Sequence, residues 1–173
     1  MNTVFFDHNS TTALLPEVLE LMLPFMKQQH GNPTSRHVFG RNARDAVELA
    51  RTQVAEAVGV QASQVVFTAS GTEANNFAVR GITANLDPAQ LLISSIEHPC
   101  VTRPAMHMRT SGWLVNTINV DAQGQLDLAH LQALLKVPTG LISTMLANNE
   151  TGVLQPLSEV SAMARQHKTF VHT

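Results

Sequence analysis

The sequence VVFTASGTEANN occupies residues 65–76 and joins an apolar, β-branched run to a turn of small residues and a polar helix start. The apolar run predicts a strand at 65–69, Ser70 and Gly71 predict a turn, and a helix is expected at about 72–80. Strands and helices continue to alternate, with strands at 91–95, 114–119, 141–147 and 169–172 and helices near 102–110, 126–135 and 157–167. This rhythm indicates an α/β fold with a mainly parallel sheet.

The chain before residue 65 is predicted to contain two helices and a loop. Apolar residues recur at helical spacing from Val18 to Met26, behind a proline at a position that a first helical turn tolerates. Glycine, asparagine and proline cluster at 31–40 and indicate a loop. A second apolar stripe predicts a long helix from Asn42, which Gly59 would end.

The composition favours a folded protein and excludes several functional classes. Hydrophobic residues make up 44% of the chain and charged residues 14%, which allows a core and argues against disorder. The 11 Lys and Arg nearly balance the 13 Asp and Glu, so bulk charge predicts binding neither to nucleic acid nor to a membrane surface. Cys100 is the single cysteine, which excludes an internal disulfide and suits a reducing compartment. No signal peptide or membrane span is recognised, and a cytoplasmic protein is expected.

Polar residues lie at or just after the ends of three predicted strands, where parallel sheets bind their ligands. Gly71 and Thr72 supply free amides at a helix start and a hydroxyl, which suit a phosphate; the alternative is a helix cap without a ligand. His98 could exchange protons with a ligand or be structural. Asn149 could donate to a ligand oxygen, or its loop could be a turn whose side chains bond their own backbone.

Two reactive residues carry no predicted chemistry. Cys100 has no neighbouring base in the sequence and is interpreted as an apolar filler rather than a nucleophile. Lys168 follows a helix end, where a cation suits the helix dipole, so it is interpreted as structural rather than as a Schiff-base lysine. No set of metal ligands is predicted.

Five segments together resemble one known family. They are FDHNSTT at 6–12, GNPTSRH at 31–37, FTASGTEANN at 67–76, IEHP at 96–99 and NNETG at 148–152. In order and spacing they resemble the amino-terminal part of the cysteine desulfurases, within the class V aminotransferase-like group of pyridoxal-phosphate enzymes. The resemblance runs over essentially the whole chain. It implies the three-layer α/β/α large domain of a fold-type I pyridoxal-phosphate transferase, incomplete at its carboxyl end.

The resemblance also implies an activity and roles for individual residues. Such an enzyme removes sulfur from L-cysteine, leaves alanine, and holds the sulfur as a persulfide for an acceptor protein in iron-sulfur cluster assembly or other sulfur transfer. Gly71 and Thr72 match the family's phosphate-binding turn. His98 matches the histidine that stacks on the cofactor ring and assists proton transfer, which makes it the expected catalytic residue. Asn149 matches the asparagine that bonds the cofactor's phenolic oxygen, and a homodimer is implied.

The end of the chain sets a further expectation. The family's carboxylate for the ring nitrogen comes from a His-x-Asp sequence, and His172-Thr173 supplies only its first two positions. The family's Schiff-base lysine, its persulfide cysteine and the small carboxyl-terminal domain would lie further on. We therefore expect residues 1–40 to form an amino-terminal arm, helix and loop, and residues 41–173 part of the large cofactor-binding domain. We expect such a fragment to be inactive alone.

Two alternatives to a cysteine desulfurase stay open at this point. One is another class V enzyme, such as a selenocysteine lyase or an aminotransferase. The other is a non-catalytic scaffold or binding module that keeps the fold without the chemistry.

Overall fold

The computed structural model describes residues 3–173, which divide into two compact units, one ending at Phe67 and the other beginning at Thr68. The first unit contains helices α1 (Pro16–Lys27) and α2 (Val38–Val58) and a short 3-10 helix (Ala62–Gln64). The predicted helix around Val18 to Met26 is confirmed as α1, which contains no buried residue.

Helix α2 begins four residues before the predicted start at Asn42, because His37 caps it. The His37 Nδ1 accepts a hydrogen bond from the Gly40 amide at 3.3 Å, so the last residues assigned to the loop at 31–40 already belong to the helix. The predicted stop at Gly59 is confirmed. Gly59 adopts a φ of 72°, a left-handed conformation that glycine adopts without a side-chain clash.

The strand predicted at 65–69 is wrong. This segment is an irregular connection, in which Val66 is 61% exposed and Phe67 49% exposed. The Val65 carbonyl accepts a hydrogen bond at 2.6 Å from the Arg51 guanidinium, which also lies 5.1 Å from the centre of the Phe67 ring. A side chain of α2 thus satisfies a backbone group that a neighbouring strand would satisfy in a sheet.

The second unit contains the sheet and the helices that cover it. In chain order these are α3 (Gly71–Ala84), β1 (Gln90–Ser94), α4 (Pro99–His107), β2 (Leu114–Ile118), α5 (Leu128–Leu134), β3 (Thr139–Ser143), α6 (Leu157–Gln166) and β4 (Phe170–His172). The sheet has four strands in the order β2-β1-β3-β4, and every pairing is parallel. The predicted α/β fold with a parallel sheet is confirmed.

Buried residues on the two faces of the sheet form separate clusters, which gives the predicted three layers. Leu91 and Ile93 of β1 point to one face and Leu92 to the other, as the period of two along a strand requires. Residues from α3 and α4 complete the first cluster, and residues from α5 and α6 complete the second. The unit is therefore a three-layer α/β/α arrangement.

Among the predicted boundaries that differ from the structure, two bear on the site. Helix α4 begins at Pro99 rather than Thr102, because proline at the first helical position is preset for the helix and His98 caps it. Strand β3 ends at Ser143 rather than Ala147. Its continuation turns away because the Met145 amide donates to the Glu97 side chain at 2.7 Å instead of to a neighbouring strand.

Candidate active site

The start of α3 has the groups that an anion needs. Ser70 caps the helix, since its Oγ accepts the Glu73 amide at 3.2 Å, and Glu73 Oε2 accepts the Ala69 amide at 2.6 Å. Among the described residues, no group accepts the amides of Gly71 and Thr72 or bonds the Thr72 hydroxyl. A Cβ placed on Gly71 would meet nothing within 4 Å, so this backbone is open to a ligand. Because Ser70 serves as the cap, Thr72 is left for another partner.

His98 occupies a defined position at the start of α4. Its Nδ1 accepts the Cys100 amide at 3.1 Å, and Pro99 behind it holds His98 in an extended conformation. A ring nitrogen that accepts a hydrogen bond carries no proton, so the neutral imidazole has its proton on Nε2. The Nε2–H is therefore the group that His98 can offer to a ligand.

Two clefts in the second unit share His98. The α3–α4 cleft has a volume of about 420 Å³, and its polar lining consists of Thr72, Asn76, Arg80, His98, Arg103 and His107. The β1–β3 cleft has a volume of about 390 Å³, and its lining includes Asn75, Glu97, His98, Cys100, Ser143 and His172. The structure thus brings the predicted site residues Thr72 and His98 to one cleft.

The α3–α4 cleft favours an anion. Arg80 and Arg103 lie along it, and no Asp or Glu of the described chain contributes to its lining. Guanidinium groups and free helix amides both attract negative charge. The cleft therefore combines Thr72 of the α3 start with additional positive charge, whereas Gly71 does not line it.

The β1–β3 cleft contains two partly buried ionisable groups. Glu97 Oε1 accepts the Ser94 hydroxyl at 2.5 Å and the Met145 amide at 2.7 Å, but desolvation by burial outweighs these bonds and raises the pKa of the carboxyl. Burial lowers the pKa of His172, whose Nδ1 lies 2.8 Å from the Ser143 Oγ. Both shifts favour the neutral forms and reflect a site that is partly shielded from water.

Asn149 lies apart from these groups. Its side chain is exposed and donates to Glu150 Oε1 at 3.0 Å, and it lines neither of the two clefts. Its neighbour Asn148 organises the loop, since Asn148 Oδ1 accepts the amides of Glu150 and Thr151 at 3.0 and 2.9 Å. The turn that was the alternative for this loop is thus present at Asn148, and Asn149 remains available at the surface.

The two residues interpreted as non-catalytic lie in different places. Cys100 is half buried against the core and also lines both clefts, where its Sγ accepts a hydrogen bond from Asn75 Nδ2 at 2.9 Å. It is therefore more than the apolar filler that the sequence indicates. Lys168 is exposed in the turn that precedes β4, at the opposite end of that strand from His172.

The sequence places Glu97 beside His98 at a strand end without giving it a role, and it points to His172 only as the first position of the His-x-Asp sequence; it does not identify Asn75 or Ser143 as members of the site. Ser143 stands at the end of β3, and Asn75 stands one turn into the helix that follows the turn at Ser70 and Gly71. The strand-end signal could have found Ser143 as well. The contacts of Glu97 and Ser143 with Met145 and His172 depend on the strand order, which the sequence pattern does not specify.

The donor set fits pyridoxal phosphate, the cofactor that the resemblance implies. Its phosphate is an anion that suits the free amides of Gly71 and Thr72 beside a positively charged cleft. His98 would offer its ring face or Nε2 from the same cleft. In residues 3–173, no group of three His, Cys, Asp or Glu side chains is arranged to hold a metal ion. No helix in that range is long and apolar enough to cross a membrane.

Known proteins have related sequences and structures. A cysteine desulfurase IscS of Dictyoglomus turgidum is 38% identical over 172 residues, which are 98% of this chain and 44% of the relative. A solved structure described as a NifS-like protein is 33% identical with a TM-score of 0.91, over 95% of this chain and 46% of that one. Another, described as SspA in complex with cysteine, is 30% identical with a TM-score of 0.92, over 99% of this chain and 50% of that one.

These matches extend along nearly all of the present sequence. The chain spans about half the length of the relatives that it matches. The family model described as Aminotransferase class-V matches residues 4–173. The chain therefore belongs to the class-V aminotransferase family.

Proposed function

We propose that the full-length protein is a pyridoxal-phosphate-dependent cysteine desulfurase. The observation that carries the proposal is the joint placement of Thr72, beside the free amides of the α3 start, and His98 in one cleft. The proposal is further supported by relatives named cysteine desulfurase and by the related structure with bound cysteine. A selenocysteine lyase, an aminotransferase and a scaffold protein are outcomes that the experiment below separates.

The proposed reaction moves one sulfur atom. The carbon–sulfur bond of L-cysteine breaks, the carbon skeleton gains a proton and leaves as alanine, and the sulfur joins a thiol as a persulfide. An acceptor protein then takes the sulfur for iron-sulfur cluster assembly or another transfer. Pyridoxal phosphate, when bound, supplies an electron sink for the charge that develops on the amino acid.

The residues of this chain would bind and orient rather than form covalent bonds. The amides of Gly71 and Thr72 and the Thr72 hydroxyl would hold the phosphate, and the positive end of α3 would stabilise its charge. His98 would lie against the ring and hold a proton at Nε2, since its Nδ1 is engaged by Cys100. Asn149 would donate its Nδ2 to the phenolic oxygen, which requires that group to leave Glu150. A homodimer in the cytoplasm is part of the same proposal.

Product analysis tests the proposed activity. The full-length protein, supplied with pyridoxal phosphate, L-cysteine and a thiol reductant, should release alanine and sulfide in equal amounts. A strong preference for selenocysteine over cysteine would favour the lyase, and transfer of the amino group to a keto acid would favour the aminotransferase. Cofactor binding with no turnover of any of these substrates would favour the scaffold.

A further inference from the structure

Two loops at the edge of the sheet are tied together by side chains. The loop after β1 carries Glu97, whose Oε1 accepts the Met145 amide of the loop after β3 at 2.7 Å. A second bond runs in the other direction, from Asn148 Nδ2 to the Ile96 carbonyl at 3.2 Å. We name this pair of bonds the loop clasp. It joins the loop that carries His98 to the loop that carries Asn149.

Glu97 is held for this contact from its own side as well. The Ser94 hydroxyl donates to the same Oε1 at 2.5 Å, which orients the carboxylate toward the loop after β3. Burial nevertheless raises the pKa of Glu97, so keeping a carboxyl group here has a cost that a purely structural surface residue would not have.

The position of Glu97 links the clasp to the candidate site. Glu97 directly precedes His98, and both line the β1–β3 cleft. His98 itself is joined to the start of α4, since its Nδ1 accepts the Cys100 amide and its carbonyl accepts the Val101 and Thr102 amides. A shift of the Glu97 backbone would therefore move the imidazole, together with the start of α4, relative to the loop after β3.

We propose that Glu97 is a positioning residue, which holds the loop after β1 against the loop after β3 and so sets the place of the His98 imidazole in the two clefts. The value of this placement for cofactor binding rests on the function proposed above. The placement itself is independent of that function, because it concerns contacts within this chain. Glu97 acts through His98 and Met145, not on the reacting atoms.

Four variants of the full-length protein distinguish the effect of the acceptor atom at position 97 from the effects of its charge and of overall stability. Glu97→Ala removes the acceptor, and Glu97→Gln keeps an acceptor oxygen at the same reach without the charge. Glu97→Asp keeps the charge but withdraws it by one methylene from Met145. Glu159→Ala is the control, because Glu159 is exposed on α6 and lines neither cleft.

Hydrogen exchange of the Met145 amide and the His98 side-chain resonances report the clasp without any cofactor. Loss of the hydrogen bond to the acceptor oxygen should speed Met145 exchange by about tenfold or more in the Ala and Asp variants. The same two variants should shift the His98 resonances and weaken pyridoxal-phosphate binding by about tenfold. The Gln variant should stay within about threefold of wild type in both rates and affinity, and Glu159→Ala should change neither.

Unchanged Met145 exchange in the Asp variant, or a Gln variant that behaves like the Ala variant, would overturn the proposal. If the Ala variant does not fold, the comparison of the Gln and Asp variants still tests the proposal. A wild-type protein that binds no pyridoxal phosphate contradicts the proposed function alone, since Met145 exchange and the His98 resonances still show whether Glu97 positions the imidazole. Normal cofactor affinity in an Asp variant with fast Met145 exchange would show that the loop clasp does not affect cofactor binding. That result would overturn the proposed effect of Glu97 on the site.

Discussion

Ser143 Oγ and His172 Nδ1 lie 2.8 Å apart at directly paired positions of the neighbouring strands β3 and β4. Both residues line the β1–β3 cleft. Burial lowers the pKa of His172, so the neutral imidazole is favoured in the folded protein. The strand register therefore puts a neutral histidine with a hydroxyl partner into the candidate site.

The lowered pKa of His172 predicts a loss of stability in acid. In the unfolded chain the imidazole takes up its proton near its ordinary pKa of 6.5, whereas in the folded chain it does so only at lower pH. The contribution to stability is thus present above pH 6.5 and is lost as the pH falls through the folded value. Urea unfolding at a series of pH values should show this loss in wild type and less of it in His172→Asn.

Ser143→Ala distinguishes burial from the hydrogen bond as the cause. Because burial is the cause of the shift, the acid loss should persist when the hydroxyl is removed. Equal pH dependence in wild type and His172→Asn would contradict the prediction.

Glu97 predicts a dependence of the opposite sign. Its pKa is raised above 4.5 by burial, so the carboxyl binds its proton more tightly in the folded than in the unfolded chain. Its favourable contribution is complete below pH 4.5 and is lost as the pH rises through the folded value. The free energy of unfolding of wild type relative to Glu97→Gln should therefore fall as the pH rises through that window. A difference in unfolding free energy between wild type and Glu97→Gln that is constant with pH would contradict the prediction.

Gly140 and Gly81 predict opposite effects of the same substitution. A Cβ on Gly140 of β3 would lie 2.8 Å from Cη2 of the Trp113 ring, which is itself buried. Gly140→Ala should lower the free energy of unfolding by about 1–3 kcal/mol, because the packed ring has to move. Gly81→Ala lies on α3 with nothing within 4 Å of the new Cβ. It should raise the free energy of unfolding by about 0.5–1 kcal/mol through helix propensity.

Denaturant unfolding of the two glycine variants checks these signs. An alanine at Gly140 that is as stable as wild type would show that Trp113 has room to shift.

Ser70 and Thr72 separate helix capping from ligand binding. Ser70→Ala leaves the Glu73 amide without its acceptor and should cost about 1 kcal/mol of stability. Thr72→Val removes a hydroxyl that bonds no described residue, so it should leave stability nearly unchanged and weaken pyridoxal-phosphate binding. Unfolding and cofactor titration of both variants give the comparison. Unchanged cofactor affinity in Thr72→Val would remove the phosphate-turn role and favour the scaffold alternative.

Local patterns in the sequence predicted much of the fold. Strands β1 and β2, helices α1 and α3, and the stop at Gly59 were placed to within a few residues, because periodicity, caps and glycine act over short distances along the chain. The run at 65–69 was the exception. Its apolar, β-branched composition indicates a strand, but Arg51 takes the Val65 carbonyl, and a contact across 14 positions leaves no trace in the local pattern.

The candidate site shows the same division. The sequence by itself determined the groups that local structure presents: the open amides at Gly71 and Thr72, and the place of His98 just after a strand end. The proton on Nε2 follows from the cap that His98 forms on α4, which the structure shows. Only the tertiary structure decided that Glu97 meets Met145 and that Ser143 meets His172. Those contacts depend on which strands are neighbours in the order β2-β1-β3-β4, and that order follows from packing the helices on both faces of the sheet rather than from any one segment.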